Sequence, residues 1–295
     1  MAEIHPAEFP TAQGDYEFAR RVAELSKGRI KIEVYPGGVL GDELSVLEQV
    51  QFGGIDLARV SIAAVEPFAP QMAALFMPYI YRDQDHMWRV LTGPIGQKLL
   101  ADLEHGRLIG LGWFEAGARS FYTVNKPVRR VGDLKGMKIR VQESPPMISL
   151  LQSFSALARP MVFSVVYSAL RTGAIDGAEN NLATYYASGH YQVAPFYVLD
   201  EHARLPEVII ASPVAFAEIS RLDQKLIRQA ASDAIAYQRR IWAKYEAEIT
   251  LILKSAGVSF LLSEDQEQWH KLARRVWSAQ SIQVRSLLEQ IQNTR

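Results

Sequence analysis

In Lys138-Ile139-Arg140-Val141 the residue types alternate, so a pleated strand puts Lys138 and Arg140 on one face and Ile139 and Val141 on the other. An arginine at the end of a short strand, entering an apolar segment, suits a ligand cleft. Its planar fork can hold a carboxylate through two parallel hydrogen bonds, which a lysine cannot copy. A structural salt bridge is the competing role for Arg140. Arg119, in Gly117-Ala118-Arg119-Ser120, is a second arginine, flanked by small residues that permit close approach of a ligand. Asp176-Gly177-Ala178-Glu179-Asn180-Asn181 gathers polar side chains around a glycine after a helix, and by itself reads as a turn.

These arginines belong to an uneven stretch of charge. From Arg119 to Arg140 there are seven basic residues against the single acid Asp133, whereas from Val141 to Asp200 only Glu143, Arg159, Arg171, Asp176, Glu179 and Asp200 are charged. Lys126, Arg129, Arg130 and Lys135 read as a solvated face. Across all 295 residues the balance is even, 32 basic against 32 acidic, with a pI near 7.0. That neutrality speaks against a nucleic-acid binder, whose affinity comes from a basic excess. There is no cysteine, hence no disulfide framework, thiolate metal site or cysteine nucleophile. The six histidines never pair at i,i+4, and neither a phosphate-binding GxxxxGK[ST] loop nor a GxSxG elbow occurs. Gly110-Leu111-Gly112-Trp113-Phe114-Glu115 approaches a dinucleotide motif but carries glutamate where the third glycine must allow helix–strand packing. No cofactor and no metal are expected.

The elements that must position the arginines alternate between helix and strand. A helical face of Phe18, Val22 and Leu25 precedes a strictly alternating strand at 29–35, a helix at 42–52 and a strand at 55–60. A helix at 83–105 and a strand at 108–113 complete a first unit. A second begins near Ala118, with a strand at 137–141, helices near 147–154 and 165–171, and strands near 198–199 and 208–211. From Leu222 to Lys254 there is neither glycine nor proline, and apolar residues keep helical spacing. Such a helix would be about 50 Å long, longer than one small domain is wide, and would bridge two lobes. A strand at 257–262 and an amphipathic helix close the chain. The pattern predicts an α/β protein of two lobes. No run approaches the roughly 18–20 apolar residues of a membrane span. Met1-Ala2-Glu3-Ile4-His5-Pro6 has neither the basic nor the apolar part of a signal peptide, so the chain is either cytosolic or trimmed of its leader.

Several segments together resemble the solute-binding proteins of tripartite ATP-independent periplasmic (TRAP) transporters. They are Tyr35-Pro36-Gly37-Gly38-Val39-Leu40-Gly41-Asp42-Glu43, Pro78-Tyr79-Ile80-Tyr81-Arg82-Asp83 and Gly117-Ala118-Arg119-Ser120-Phe121-Tyr122. Asp133-Leu134-Lys135-Gly136-Met137-Lys138-Ile139-Arg140-Val141, Val166-Tyr167-Ser168-Ala169-Leu170 and Asp176-Gly177-Ala178-Glu179-Asn180-Asn181 follow in the family's order. The resemblance implies a two-lobed periplasmic-binding-protein-like (type II) α/β fold with hinge strands and a long lobe-spanning helix. Residues 1–117 plus about 206–245 would form lobe I, and 118–205 plus about 246–295 lobe II, with the ligand cleft between them. It implies a small carboxylate captured by lobe closure and handed to membrane permease subunits by a monomeric periplasmic protein, its leader missing from this sequence. Arg140 matches the clamping arginine, Arg119 its helper, Asn180 an asparagine on the same carboxylate and Phe163 an aromatic that packs on the ligand. Two positions depart from the family's usual pattern: Arg159, where a neutral residue is commoner, and Val165, where glutamate often precedes the Val-Tyr pair.

His5-Pro6, Arg59-Val60 and Ala178-Glu179-Asn180-Asn181 resemble the branch that binds hexuronates and similar sugar acids. A ligand rich in hydroxyls needs several pocket donors and acceptors, because unpaired buried polar groups are costly. His5, Glu43, Glu48, Arg59, Ser61 and Glu179 are the candidates for that task. An α-keto or α-hydroxy acid, or a C4 dicarboxylate, would use the same clamp with fewer polar partners. An enzyme acting on small organic acids, and a binding protein that serves a sensor, are the competing classes. The first would need a positioned base or cofactor lysine, and no such constellation stands out.

Overall fold

The alternation and turn signals resolve into ten strands in a computed structural model that describes residues 1–295. They are β1 (Leu57–Ser61), β2 (Ile109–Phe114), β3 (Ala118–Thr123), β4 (Lys138–Val141), β5 (Leu157–Pro160), β6 (Gly177–Asn181), β7 (Phe196–Leu199), β8 (Ala203–Arg204), β9 (Glu207–Ala211) and β10 (Ser259–Leu262). The chain groups into two units. Met1–Met72, Leu91–Ala116 and Pro206–Tyr245 form the first; Ala73–Val90, Gly117–Leu205 and Glu246–Arg295 form the second. Residues 73–90 therefore group with the second unit, whereas the sequence pattern leaves them in the first. The reason is packing on C-terminal helices: the Tyr79 ring stacks on His270 at 4.1 Å, Trp277 Nε1 donates to the Pro78 carbonyl, and His86 Nε2 to that of Ile291.

In the first unit β9 lies between β1 and β2, antiparallel to both. All five positions of β1 and of β9 are buried, so these strands are covered on both faces. Phe18, Val22, Leu57, Phe114, Ile209 and Ala230 belong to one apolar cluster that joins the sheet to helix Pro10–Leu25 and to the long helix Arg221–Ser255. Gly14 lets the first of these helices approach closely, since a Cβ there would stand 2.7 Å from the Phe114 ring. The long helix is unbroken over 35 residues, with 221–245 in the first unit and 246–255 in the second.

The second unit has a seven-stranded mixed sheet of order β10-β7-β3-β6-β4-β5, with β8 paired to β3. β4 runs parallel to β5 and β6, while β3 is antiparallel to β6. The carboxyl ends of β4, β5 and β6 and the amino end of β3 consequently share one edge of the sheet. That edge collects Arg140, Met161, Asn180 and Arg119.

Four expectations change. The 29–35 run is not a strand: only Tyr35 pairs, in an isolated bridge to the single residue Ala2, which also pairs with Ala58. The 83–105 helix is two helices, Gln84–Thr92 and Pro94–Asp102, followed by a short 3-10 turn. Pro94 has no N–H to continue the first helix and takes the first turn of the next. The C-terminal helix is likewise two, Gln266–Ser278 and Ile282–Asn293, the latter capped by the Ser281 hydroxyl. Asp176–Asn181 is not a turn: 177–181 is the fully buried strand β6.

Candidate functional site

Arg140 stands near the end of β4 and is 4% exposed. The carbonyl of Met161, just past β5, accepts from its Nε at 3.1 Å and its Nη2 at 2.8 Å, which fixes the plane of the guanidinium. Two of its five N–H groups are so engaged, on one edge of the fork. On the neighbouring strand β6, Asn180 Oδ1 accepts from Arg119 Nη1 at 2.7 Å and from the Asn181 N–H at 2.8 Å. Those two donors settle the amide's orientation: the oxygen faces Arg119, and Nδ2 is the group that can donate to an anion. Arg119 is thus a positioning group for Asn180. Its Nε and Nη2 edge is taken by the Glu179 carboxylate at 2.5 and 2.9 Å.

Behind this edge lies a buried chain of alternating charge, Arg119, Glu179, His202 and Asp200. His202 Nδ1 is 2.7 Å from Asp200 Oδ2, Nε2 is 3.4 Å from Glu179 Oε2, and the ring stacks on Phe121 at 4.2 Å. Burial alone would raise the Glu179 pKa, but Arg119 and then His202 outweigh it and hold it at about 2. Burial alone would lower that of His202, yet Asp200 and Glu179 prevail and raise it to about 9. The four formal charges cancel, which is what permits them to be buried together. Glu179, expected to meet the ligand, is instead the counterion of Arg119 with no side-chain exposure.

Phe163 opens a short 3-10 turn after β5, half-buried, with its ring 5.9 Å from that of His190. His190 Nδ1 is hydrogen-bonded to the Tyr122 hydroxyl at 2.7 Å. Burial first, and the nearby Arg140 charge second, lower the His190 pKa to about 4. Neither His190 nor His202 stands out by spacing. For His202 a signal exists, since Asp200 two residues before it is well placed to hold Nδ1. His190 carries no comparable mark.

In the first unit, a second polar cluster centres on Arg59, whose side chain has no exposure. Glu3 receives its Nε and Nη2, Glu207 Oε2 accepts from Nη1 at 2.5 Å, and Glu43 Oε1 stands 3.9 Å away. Arg59 therefore meets the protein's own carboxylates, where a ligand anion or hydroxyls were expected. Its Nη2 also lies 2.8 Å from His5 Nδ1. The same Nδ1 is 3.0 Å from Glu3 Oε1, so His5 is held between the arginine and its counterion. The His5 ring stacks on Phe9 at 4.1 Å. Glu43 Oε1 accepts the Ser61 N–H at 2.6 Å, while the buried Ser61 Oγ has no hydrogen-bond partner in the chain. Glu3, Glu43 and Arg59 line a narrow recess with Ile4, Gly38 and Gly41. Glu48 is exposed and joins neither cluster.

No three His, Asp or Glu side chains are grouped so as to hold a metal ion, and no helix is long and apolar enough to cross a membrane. The family model described as DctP, bacterial extracellular solute-binding protein, family 7, matches residues 1–283. A solute-binding protein of Chromohalobacter salexigens is 35% identical over 288 residues, 98% of this chain and 85% of that protein. Among solved structures, a TRAP periplasmic solute binding protein from Bradyrhizobium in complex with alpha/beta-D-galacturonate is similar with a TM-score of 0.97 and 37% identity, covering 99% of this chain and 98% of that one. Another, from Pseudomonas putida F1 with bound D-glucuronate, gives 0.96 and 36%, covering 100% and 96%.

Proposed function

We infer that this chain, which belongs to the DctP family of TRAP solute-binding proteins, captures a hexuronate such as D-galacturonate or D-glucuronate in the periplasm. It delivers the ligand unchanged to membrane permease subunits. The observation that carries this is the pair of relatives at 36–37% identity that hold those two sugars. The chemistry of the second unit supports it. Arg140 and the Nδ2 group of Asn180 offer an anion charge-assisted and neutral donors on a sheet edge whose geometry is set by Met161 and Arg119. Phe163 supplies an apolar surface beside them. In the first unit His5, Glu43 and Ser61 supply polar groups of the kind that sugar hydroxyls require, while Arg59 holds the acids of that cluster in place.

Thermal denaturation against a panel of D-galacturonate, D-glucuronate, pyruvate and succinate tests the reading. A hexuronate at a hundredfold excess over its Kd adds about 2.7 kcal/mol of stability, a plain shift in Tm. Stabilisation by pyruvate or succinate, with none by either hexuronate, sinks the sugar-acid assignment. Turnover of the bound sugar, followed by mass spectrometry, would instead establish an enzyme.

A further inference from the structure

Just past the end of β4, two residues beyond Arg140, the side-chain oxygen of Gln142 is buried without a hydrogen-bond partner in the chain. Strand alternation carried one step further puts Gln142 on the face of Arg140. The Gln142 carbonyl accepts from the Ser144 N–H, and Met161, which holds the Arg140 guanidinium, bonds back to Val141. The backbone on either side of this glutamine is therefore fixed. In parallel sheets, ligands sit beyond the carboxyl ends of the strands, and Gln142 occupies that place on β4. A buried acceptor left without a donor is costly, and an isolated one calls for a partner. A carboxylate has no hydrogen to give; a hydroxyl has.

Resting on the hexuronate reading, we propose that Gln142 accepts a hydrogen bond from the ligand hydroxyl nearest the carboxylate. In a pyranose hexuronate that hydroxyl is on C4, one ring carbon from the carbon that bears the carboxylate. It is also the centre at which galacturonate and glucuronate differ. Gln142 is thus a specificity-determining residue: an acceptor fixed beside the carboxylate site favours the C4 epimer whose hydroxyl points toward it.

Calorimetric titration of the wild type, Gln142→Leu and Gln142→Glu tests this with both hexuronates and the 4-deoxy analogue of the tighter binder. The leucine variant loses the acceptor at similar size; the glutamate variant keeps one. The leucine variant should bind the preferred epimer about tenfold more weakly and narrow the gap between epimers, while its affinity for the 4-deoxy sugar stays at the wild-type level. Glutamate should restore part of the epimer preference. Equal losses for hydroxylated and 4-deoxy ligands, or no loss for either, overturn the assignment. The ligand-free Tm of Gln142→Leu should equal or exceed that of the wild type, because an unpartnered acceptor is removed; a clear drop also counts against it. Failure of the wild type to bind any hexuronate sinks the hexuronate reading and this inference with it. Binding by the wild type with an indifferent leucine variant sinks the inference alone.

Discussion

The amide oxygen of Asn180 is occupied by Arg119 and the Asn181 N–H, so its donor capacity follows from its neighbours. Asn180→Asp puts a carboxylate where the anion would be held and should weaken hexuronate binding roughly 100-fold or more, as like charges brought together do. Calorimetry reads this, and an unchanged Kd removes Asn180 from the site. Arg140→Lys keeps the charge but loses the fork and should weaken binding by about 1.5–3 kcal/mol. Glu179→Gln leaves Arg119 and His202 without their shared counterion, and should lower stability to denaturant by about 3–5 kcal/mol. The place of Arg140 at the end of a strand was legible because strand alternation is local. Arg59 was not, because its acids Glu3 and Glu207 lie 56 and 148 residues away in the chain. No spacing rule connects residues so far apart, and a buried arginine looks the same in sequence whether its partner is protein or ligand.

Strand β6 runs Gly177-Ala178-Glu179-Asn180-Asn181, and its polar residues hid it as a strand although every position is buried. Its burial is satisfied by long-range partners, Arg119 above all, and by the Tyr197 hydroxyl on the Asn180 carbonyl. Gly177 starts it where a Cβ would stand 2.4 Å from the Tyr122 carbonyl oxygen, a contact that backbone cannot relieve cheaply. Gly177→Ala should therefore cost about 1–3 kcal/mol in urea unfolding and weaken ligand binding by displacing Asn180. Full stability and full affinity in that variant would mean that β6 tolerates the shift. The long helix Arg221–Ser255 is the opposite case: no proline or glycine interrupts it, apolar spacing is regular, and it forms where expected. The 83–105 segment shows the limit of such spacing, since Gly93-Pro94 divides a pattern that otherwise continues.

For the whole molecule, three buried groups around the site contribute to the dependence of stability on pH. His202, raised to about 9, contributes stability that is complete below about pH 6.5 and is lost as pH rises through about 9. His190, lowered to about 4, is held neutral, so its contribution is complete above about 6.5 and falls as pH drops toward 4. Glu179, lowered to about 2, adds a further loss below its ordinary value of 4.5. Tm should peak near pH 6.5, with His202→Asn flattening the alkaline side and His190→Phe the acid side in calorimetric scans. A wild-type Tm still rising between pH 7 and 9 would contradict this. The order β1-β9-β2 also has a consequence in time. While the chain is being synthesised, a nascent segment of 205 residues already contains β1 to β8, yet the first unit has no sheet, because the strand that joins β1 to β2 has not been made. Pairings between distant segments form late, and here the keystone arrives after two-thirds of the chain. Much of the first unit is translated early, yet its sheet cannot form until β9 emerges, so any process that needs that unit unstructured has until then.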